Sequence, residues 1–130
     1  MDGDGAMNDQ ALGGQVVVGV VGAGAMGAGI AQVAAQAGHR VLLVDAQPGA
    51  VERAIANAAA ALKSLAAKGK LPAEQAGTIT ARMYPATLAQ LAECGLVIEA
   101  IAEDLDVKRA LFRDLEAIVR PQCILATNTS

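Results

Sequence analysis

At 130 residues with a net charge of -3, the chain is long enough for one domain with one buried core. It carries no basic stretch of the kind that tracks nucleic acid, no apolar run long enough to span a bilayer, and no basic start with an apolar stretch that would read as a signal peptide. Apolar residues make up 54% of the chain but aromatic residues only 2%, so the core has to be built from Val, Ile, Leu and Ala. Such a core suits buried parallel strands with alanine-rich helices packed closely on them.

Residues 1–14 are polar and glycine-rich and predict a disordered tail. At 15–21 the chain turns β-branched, with Val16, Val17, Val18, Val20 and Val21 between glycines, the pattern of a strand buried on both faces. A glycine-rich turn follows. Then Met26, Ile30, Val33, Ala34 and Ala37 recur at helical spacing, and Gly38 is placed to end that helix. Residues 40–45 form a second strand-like run. Strand, turn, helix and strand within about thirty residues is the length of a βαβ unit. Pro48 suits the first turn of a further helix, whose apolar stripe is Val51, Ile55, Ala58, Leu62 and Leu65 and which Gly69 closes. Pro72 opens another helix running to about Arg82, so that 49–82 reads as a helical hairpin. A short strand at 83–85, a helical turn at 88–92 and a strong strand at 95–100 come next. Asp104 or Asp106 caps a helix whose buried face reads as Val107, Leu111, Leu115 and Ile118; Pro121 stops it, and 122–126 is the last strand. The fold class implied is α/β: a Rossmann-type, doubly wound parallel sheet with an inserted helical hairpin, occupying 15–130.

The sharpest motif is Gly22-Ala23-Gly24-Ala25-Met26-Gly27. A bare G-x-G-x-x-G is weak, but this one leaves a strand and opens a helix inside a βαβ unit, the context that gives it meaning. Gly22 permits the tight turn. Gly24 lacks a Cβ, so a pyrophosphate can approach the backbone. Gly27 lets helix and strand pack closely. The helix N-terminus then presents N–H groups and a partial positive charge to the phosphates. The loop holds no lysine, which argues against a Walker-type site. Asp45 ends the second strand about twenty residues on, where a carboxylate accepts hydrogen bonds from the adenosine ribose and repels a 2′-phosphate. NAD is therefore expected over NADP. Arg40, at the other end of that strand, is badly placed to hold a phosphate.

Other polar residues are open to two readings. Glu99 lies inside an apolar strand, where burial without a partner is costly, so it either faces a cleft or takes a backbone donor. Glu103 and Lys108 flank a helix start, either as a solvated ion pair or as part of a ligand edge. Asn128 and Ser130 follow the last strand, as a polar turn or at that same edge. His39, the only histidine, falls in a turn at the opposite edge and reads as a surface residue, leaving no histidine for acid–base work near neutral pH. Cys94 and Cys123 stand in no metal or redox spacing and read as reduced thiols of a cytoplasmic protein.

Three blocks resemble 3-hydroxyacyl-CoA dehydrogenases of the 3-hydroxybutyryl-CoA type. They are residues 20–32 around the glycine loop, 95–103 (GLVIEAIAE) and 126–130 (ATNTS), and the hairpin at 49–82 resembles that family's extra helices. The resemblance covers 16–130. It implies an oxidoreductase of fatty-acid metabolism and β-oxidation that uses NAD to interconvert an L-3-hydroxyacyl-CoA and its 3-ketoacyl-CoA. By position, the glycine loop (Gly22, Ala23, Gly24, Ala25, Met26 and Gly27) would hold the pyrophosphate and Asp45 the ribose. Glu103 and Lys108 would stand near the nicotinamide, with Asn128 helping to orient it or the substrate. Ser130 would bond the reacting substrate oxygen, and Lys68 would contact the CoA phosphates. Where some members have a second CoA contact, a serine, Ala61 stands here. The family's catalytic histidine, its glutamate partner and the helical domain that forms most of the homodimer interface have no counterpart in these residues. The resemblance thus implies a truncated domain that binds NAD without turnover, with no metal, nucleic acid or membrane as partner. Other 3-hydroxyacid or UDP-sugar dehydrogenases share the glycine loop, and a non-catalytic NAD-binding module would share the fold.

Overall fold

The structure is a computed structural model that describes residues 16–127. The expected disordered tail at 1–14, Asn128 and Ser130 lie outside the described residues. In chain order the elements are β1 (Val18–Val21), α1 (Ala25–Gln36), β2 (Val41–Val44), α2 (Ala50–Ala67), α3 (Ala73–Thr80) and β3 (Met83–Pro85). A 3-10 segment (Leu88–Glu93), β4 (Leu96–Glu99), α4 (Leu105–Ile118) and β5 (Ile124–Thr127) follow. The five strands form one sheet in the order β3-β2-β1-β4-β5, and every neighbouring pair is parallel. The sheet order reverses direction at β1, so the crevice between the carboxyl ends of β1 and β4 is the topological switch point where ligands sit in such sheets.

Two cores lie on the two faces of the sheet. On one face α1, α2 and α3 pack Val20, Val41 and Leu43 against Ala31, Ala35, Ala58, Leu62 and Ile79. On the other, Val21, Leu42 and Val97 meet Leu91 of the 3-10 segment, Cys94 and Leu115 of α4. β1 is buried along its whole length, as expected for a central parallel strand covered on both faces.

Three details depart from the sequence reading. The apolar repeat of α1 is real, but the face it turns to the sheet is the small one, Gly27, Ala31 and Ala35. Met26, Ile30, Val33, Ala34 and Ala37 line an open apolar groove of about 720 Å³ with Val18, Leu96 and Ile98, and of these Ile30 and Ala34 also pack, partly buried, against the core. Small residues win the inner face because they let the helix axis come close to the strands. Pro48 lies in the turn before α2, not in its first turn. Gly49, at φ 81°, takes the left-handed step that reverses the chain, so the helix starts at Ala50. In α4, Val107 is 52% exposed and the buried place beside it belongs to Lys108. An amphipathic count ranks valine above lysine, but a lysine with carboxylate partners inside the fold can take a buried position. Asp104, not Asp106, is the cap of α4; its Oδ1 accepts from the Val107 amide at 3.1 Å.

The amino edge of the sheet is structural. His39 Nδ1 stands 2.9 Å from the Val16 carbonyl oxygen. Arg40 bonds Glu93 at 2.9 Å and lies over the Tyr84 ring, 5.3 Å from its centroid. Both side chains are thus engaged with partners away from the glycine loop. Cys94 and Cys123 are both free thiols and belong to the same apolar cluster. Burial pushes the Cys94 thiol from its ordinary 9.0 up to about 12, with the charges of Cys123 and Glu93 adding to the effect. A pKa raised by folding means that the folded state holds its proton more tightly than the unfolded chain. That contribution is complete below pH 9.0 and is lost as pH climbs toward about 12. The expected result is a denaturation midpoint that falls between pH 8.5 and 10.5, by less in Cys94→Ala than in the parent chain; parallel falls in both would remove Cys94 as the cause.

Candidate functional site

The carboxyl ends of β1, β2, β4 and β5 converge on one edge, and the glycine loop lies at its centre. Gly22 leaves β1 with φ +108°, a conformation that L side chains rarely adopt, and a Cβ there would meet the Ala100 carbonyl at 2.8 Å. Gly27 is tighter: its Cβ would come within 1.7 Å of the Gly22 carbonyl oxygen. The first turn of α1 is thus pressed onto the chain leaving β1. Gly24 is the opposite case. It is the N-cap of α1, with extended φ -74° and ψ -169° and no side chain capping the helix, and a Cβ built on it would meet nothing within 4 Å. The open space in front of Gly24 is a cradle that a Cβ would begin to fill, at the positive end of a helix of 12 residues.

Asp45 faces this cradle. Its Oδ2 accepts from the Ala23 amide at 2.7 Å, and its Oδ1 accepts from the Gln47 amide at 2.8 Å. Two backbone donors fix the carboxylate plane, and each oxygen keeps a lone pair for a further donor. A cavity of about 340 Å³ joins Asp45 to Ala23, Gly24 and Ala25, with Gln47, Arg53 and Asn57 also on its wall. The donor set fits an adenosine diphosphate moiety: amides and a helix terminus toward phosphate, a fixed carboxylate toward paired hydroxyls. Sequence reasoning missed Gln47, Arg53 and Asn57. The available signal was their place in the turn and first two turns of the helix immediately after Asp45.

At the β4 side, Glu99 is completely buried. Its Oε2 accepts from the Ile101 amide at 2.7 Å, and its Oε1 accepts from the Thr127 hydroxyl and lies 3.3 Å from Lys108 Nζ. Of the two readings left open by the sequence, the backbone donor is the one met; Glu99 lines no cleft, and the cation beside it is a partner the sequence reading did not name. Lys108 in turn reaches Glu103 at 2.8 Å. The hydrogen bond that Lys108 donates to Glu103 lifts the lysine above its ordinary range; burial opposes this, and Glu99 adds to it. Glu103 itself is mostly exposed, its side chain at 65%, so the pair is neither a free surface bridge nor a sealed one. Glu103, Lys108 and Thr127 share the wall of a second cavity of about 500 Å³ with Leu105, Arg109 and Phe112.

The glycine loop and Asp45 are therefore brought together in one cavity, and Glu103 and Lys108 come together at the β4–β5 side of the same sheet edge. Lys68 stands apart. It is the C-cap of α2, and that helix of 18 residues is roughly 27 Å long, which separates Lys68 from the Asp45 cavity. Among the described residues no group of three or more His, Cys, Asp or Glu side chains could hold a metal, and no helix is long and apolar enough to cross a membrane.

Comparison with known proteins bears directly on this geometry. Residues 17–130 match the family model for the 3-hydroxyacyl-CoA dehydrogenase, NAD binding domain. Over 102 residues, 78% of the chain, it is 49% identical to 3-hydroxyadipyl-CoA dehydrogenase of Escherichia coli K12 and 44% identical to a probable 3-hydroxybutyryl-CoA dehydrogenase of Deinococcus radiodurans. A crystal structure of 3-hydroxybutyryl-CoA dehydrogenase from Escherichia coli K12 superposes with a TM-score of 0.86 at 48% identity, over 88% of this chain and 25% of that one. The chain spans only 22% and 36% of the lengths of the two curated relatives. With the match to the family model running from the start of the sheet through its last strand, the chain belongs to the 3-hydroxyacyl-CoA dehydrogenase family and is its NAD binding domain.

Proposed function

We propose that this domain holds NAD across the carboxyl edge of its sheet and serves the interconversion of an L-3-hydroxyacyl-CoA and its 3-ketoacyl-CoA. The observation that carries the reading is the pairing of an open Gly24 with a carboxylate fixed by two backbone amides in one cavity. In this reading the amides at the start of α1 bind the pyrophosphate, and Asp45 accepts from the adenosine ribose hydroxyls. Glu103 and Lys108 line the nicotinamide end with Asn128. Ser130 donates to the substrate oxygen. Lys68, an exposed ammonium beyond the other end of α2, meets the CoA phosphates. NAD, when bound, supplies the carbon that accepts a hydride from the hydroxyl-bearing substrate carbon. The chain's contribution is to orient the two reactants.

His39 is held at the amino edge, so the residue that takes the hydroxyl proton is assigned to a further part of a longer, homodimeric, cytoplasmic protein. The 130-residue chain itself is expected to bind NAD without turnover. The acyl-CoA names of the relatives support the substrate class. Isothermal titration of the chain with NADH and NADPH tests the cofactor assignment. Saturable NADH binding with NADPH at least tenfold weaker is the expected result. Equal affinity would mean that Arg53, on the same cavity wall, and not Asp45 decides recognition at the ribose. Oxidation of NADH by acetoacetyl-CoA with the longer protein tests the reaction, and absence of turnover there would overturn it.

A further inference from the structure

We infer that Glu99 is a positioning residue for the nicotinamide end of the cofactor, acting through Lys108 and Thr127; this rests on the NAD reading proposed above. Four parts of the site meet at this carboxylate. In the parallel register Glu99 lies opposite Val21, the last residue of β1 before the glycine loop. It also lies opposite Thr127, the last residue of β5. The next residue, Ala100, donates its amide to the Val21 carbonyl at 2.8 Å and packs against Gly22 so closely that a Cβ there would collide. The fourth part is the first turn of α4, which delivers Lys108.

A glutamate at an otherwise apolar, fully buried position is expensive unless each oxygen is satisfied. Here Ile101, Thr127 and Lys108 satisfy it. Removing any one of them leaves a buried charge short of a partner, so the group holds these three places together. A dinucleotide whose adenosine half lies over β2 at Asp45 crosses β1 at the glycine loop and reaches β4 with its other half. Adjacent strands are about 4.8 Å apart, so two strand steps bring it to the Lys108–Glu103 pair. Glu99 lies beneath that pair, entirely buried, and touches no ligand. Its effect is transmitted: it fixes the ammonium of Lys108 from below while Glu103 fixes it from the solvent side, and it fixes the end of β5 at Thr127.

The test separates the two halves of the cofactor. Calorimetric titrations with NADH and with ADP-ribose, which lacks the nicotinamide, are run on the parent chain, Glu99→Gln and Thr127→Val. Glu99→Gln keeps the side-chain shape and one carbonyl acceptor but drops the charge that faces Lys108. The expected result is NADH affinity reduced about tenfold in Glu99→Gln, the scale of one charge-assisted hydrogen bond, with ADP-ribose affinity unchanged. Equal losses for both ligands would mean a merely structural role and overturn the inference, as would undiminished NADH binding. Should Glu99→Gln fail to fold, Thr127→Val decides by the same two readouts, since it removes one donor at the rim and leaves the buried ion pair in place. If the parent chain, folded, binds neither NADH nor ADP-ribose, the NAD reading itself is refuted, an outcome seen before any variant is made.

Discussion

Gly27→Ala is expected to lower the melting temperature by about 10 °C or more and to abolish measurable NADH binding. One methyl group at this position would enter within 1.7 Å of the Gly22 carbonyl oxygen, a backbone atom with no side-chain freedom to yield. Either α1 lifts off β1 or the turn at Gly22 changes, and Gly22 is itself confined by Ala100 on its other side. Over-packing of this kind costs about 1–3 kcal/mol and sometimes more, and for a domain of this size each kcal/mol is worth roughly 4 °C. Binding fails for a separate reason: lifting the helix moves the amides to which the proposal assigns the phosphates. The informative control is Gly24→Val, three residues earlier. Its backbone is extended and its Cβ meets nothing within 4 Å, so the melting temperature should hold while NADH binding is lost to the side chain now standing in the cradle. Thermal melts and NADH titrations of the two variants check the pair. A stable Gly27→Ala that binds NADH would contradict the close approach of helix and turn, and a Gly24→Val with parental affinity would contradict the pyrophosphate cradle.

Asp45→Ser is expected to weaken NADH about 100-fold and to bring NADPH to within a few-fold of NADH. In the proposed reading the carboxylate offers charge-assisted acceptance to two ribose hydroxyls, and hydrogen bonds to charged groups contribute about 1.5–3 kcal/mol each. Losing the stronger part of that set is about 3 kcal/mol, or two decades in affinity. The loss is compounded because Asp45 also holds the loop: the Ala23 and Gln47 amides lose their acceptors. NADPH should suffer less, since the change also removes a negative charge facing its 2′-phosphate, and Arg53 remains on the cavity wall to meet that phosphate. Competitive titration with both cofactors measures the ratio. A variant that retains the parental preference for NADH would place ribose recognition on another residue.

The pairing of the glycine loop with Asp45 was legible from the chain because its signals are local. Gly22, Gly24 and Gly27 each answer to a backbone requirement within one turn, and Asp45 lies at the end of the next strand, so spacing alone joins them. The two-sided burial of β1 was legible too, since a run of valines between glycines has few other uses. The β4 side was only partly so. The strand ending in Glu99 was plain, but its partners Lys108 and Thr127 lie 9 and 28 residues on, and only the sheet register and the placement of α4 bring them together. The same limit explains Val107 and Lys108 in α4: a hydrophobic period ranks side chains by transfer energy and does not see that a buried carboxylate waits beneath one of them. In α1 the apolar count found the helix and not its inner face, because close packing on a sheet selects for small volume, which a hydrophobic scale scarcely registers.

The placement of Tyr84 has a practical consequence. The chain has one tyrosine and no tryptophan, and that tyrosine lies on β3 opposite Leu42, under the Arg40 guanidinium. Intrinsic emission therefore originates away from the rim that carries the glycine loop, while the fluorescence of a reduced nicotinamide would arise at that rim. The two optical signals are spatially segregated. Unfolding and ligand release can be followed as separate channels in a single sample, so a variant that has lost its structure is told apart from one that has lost only its ligand.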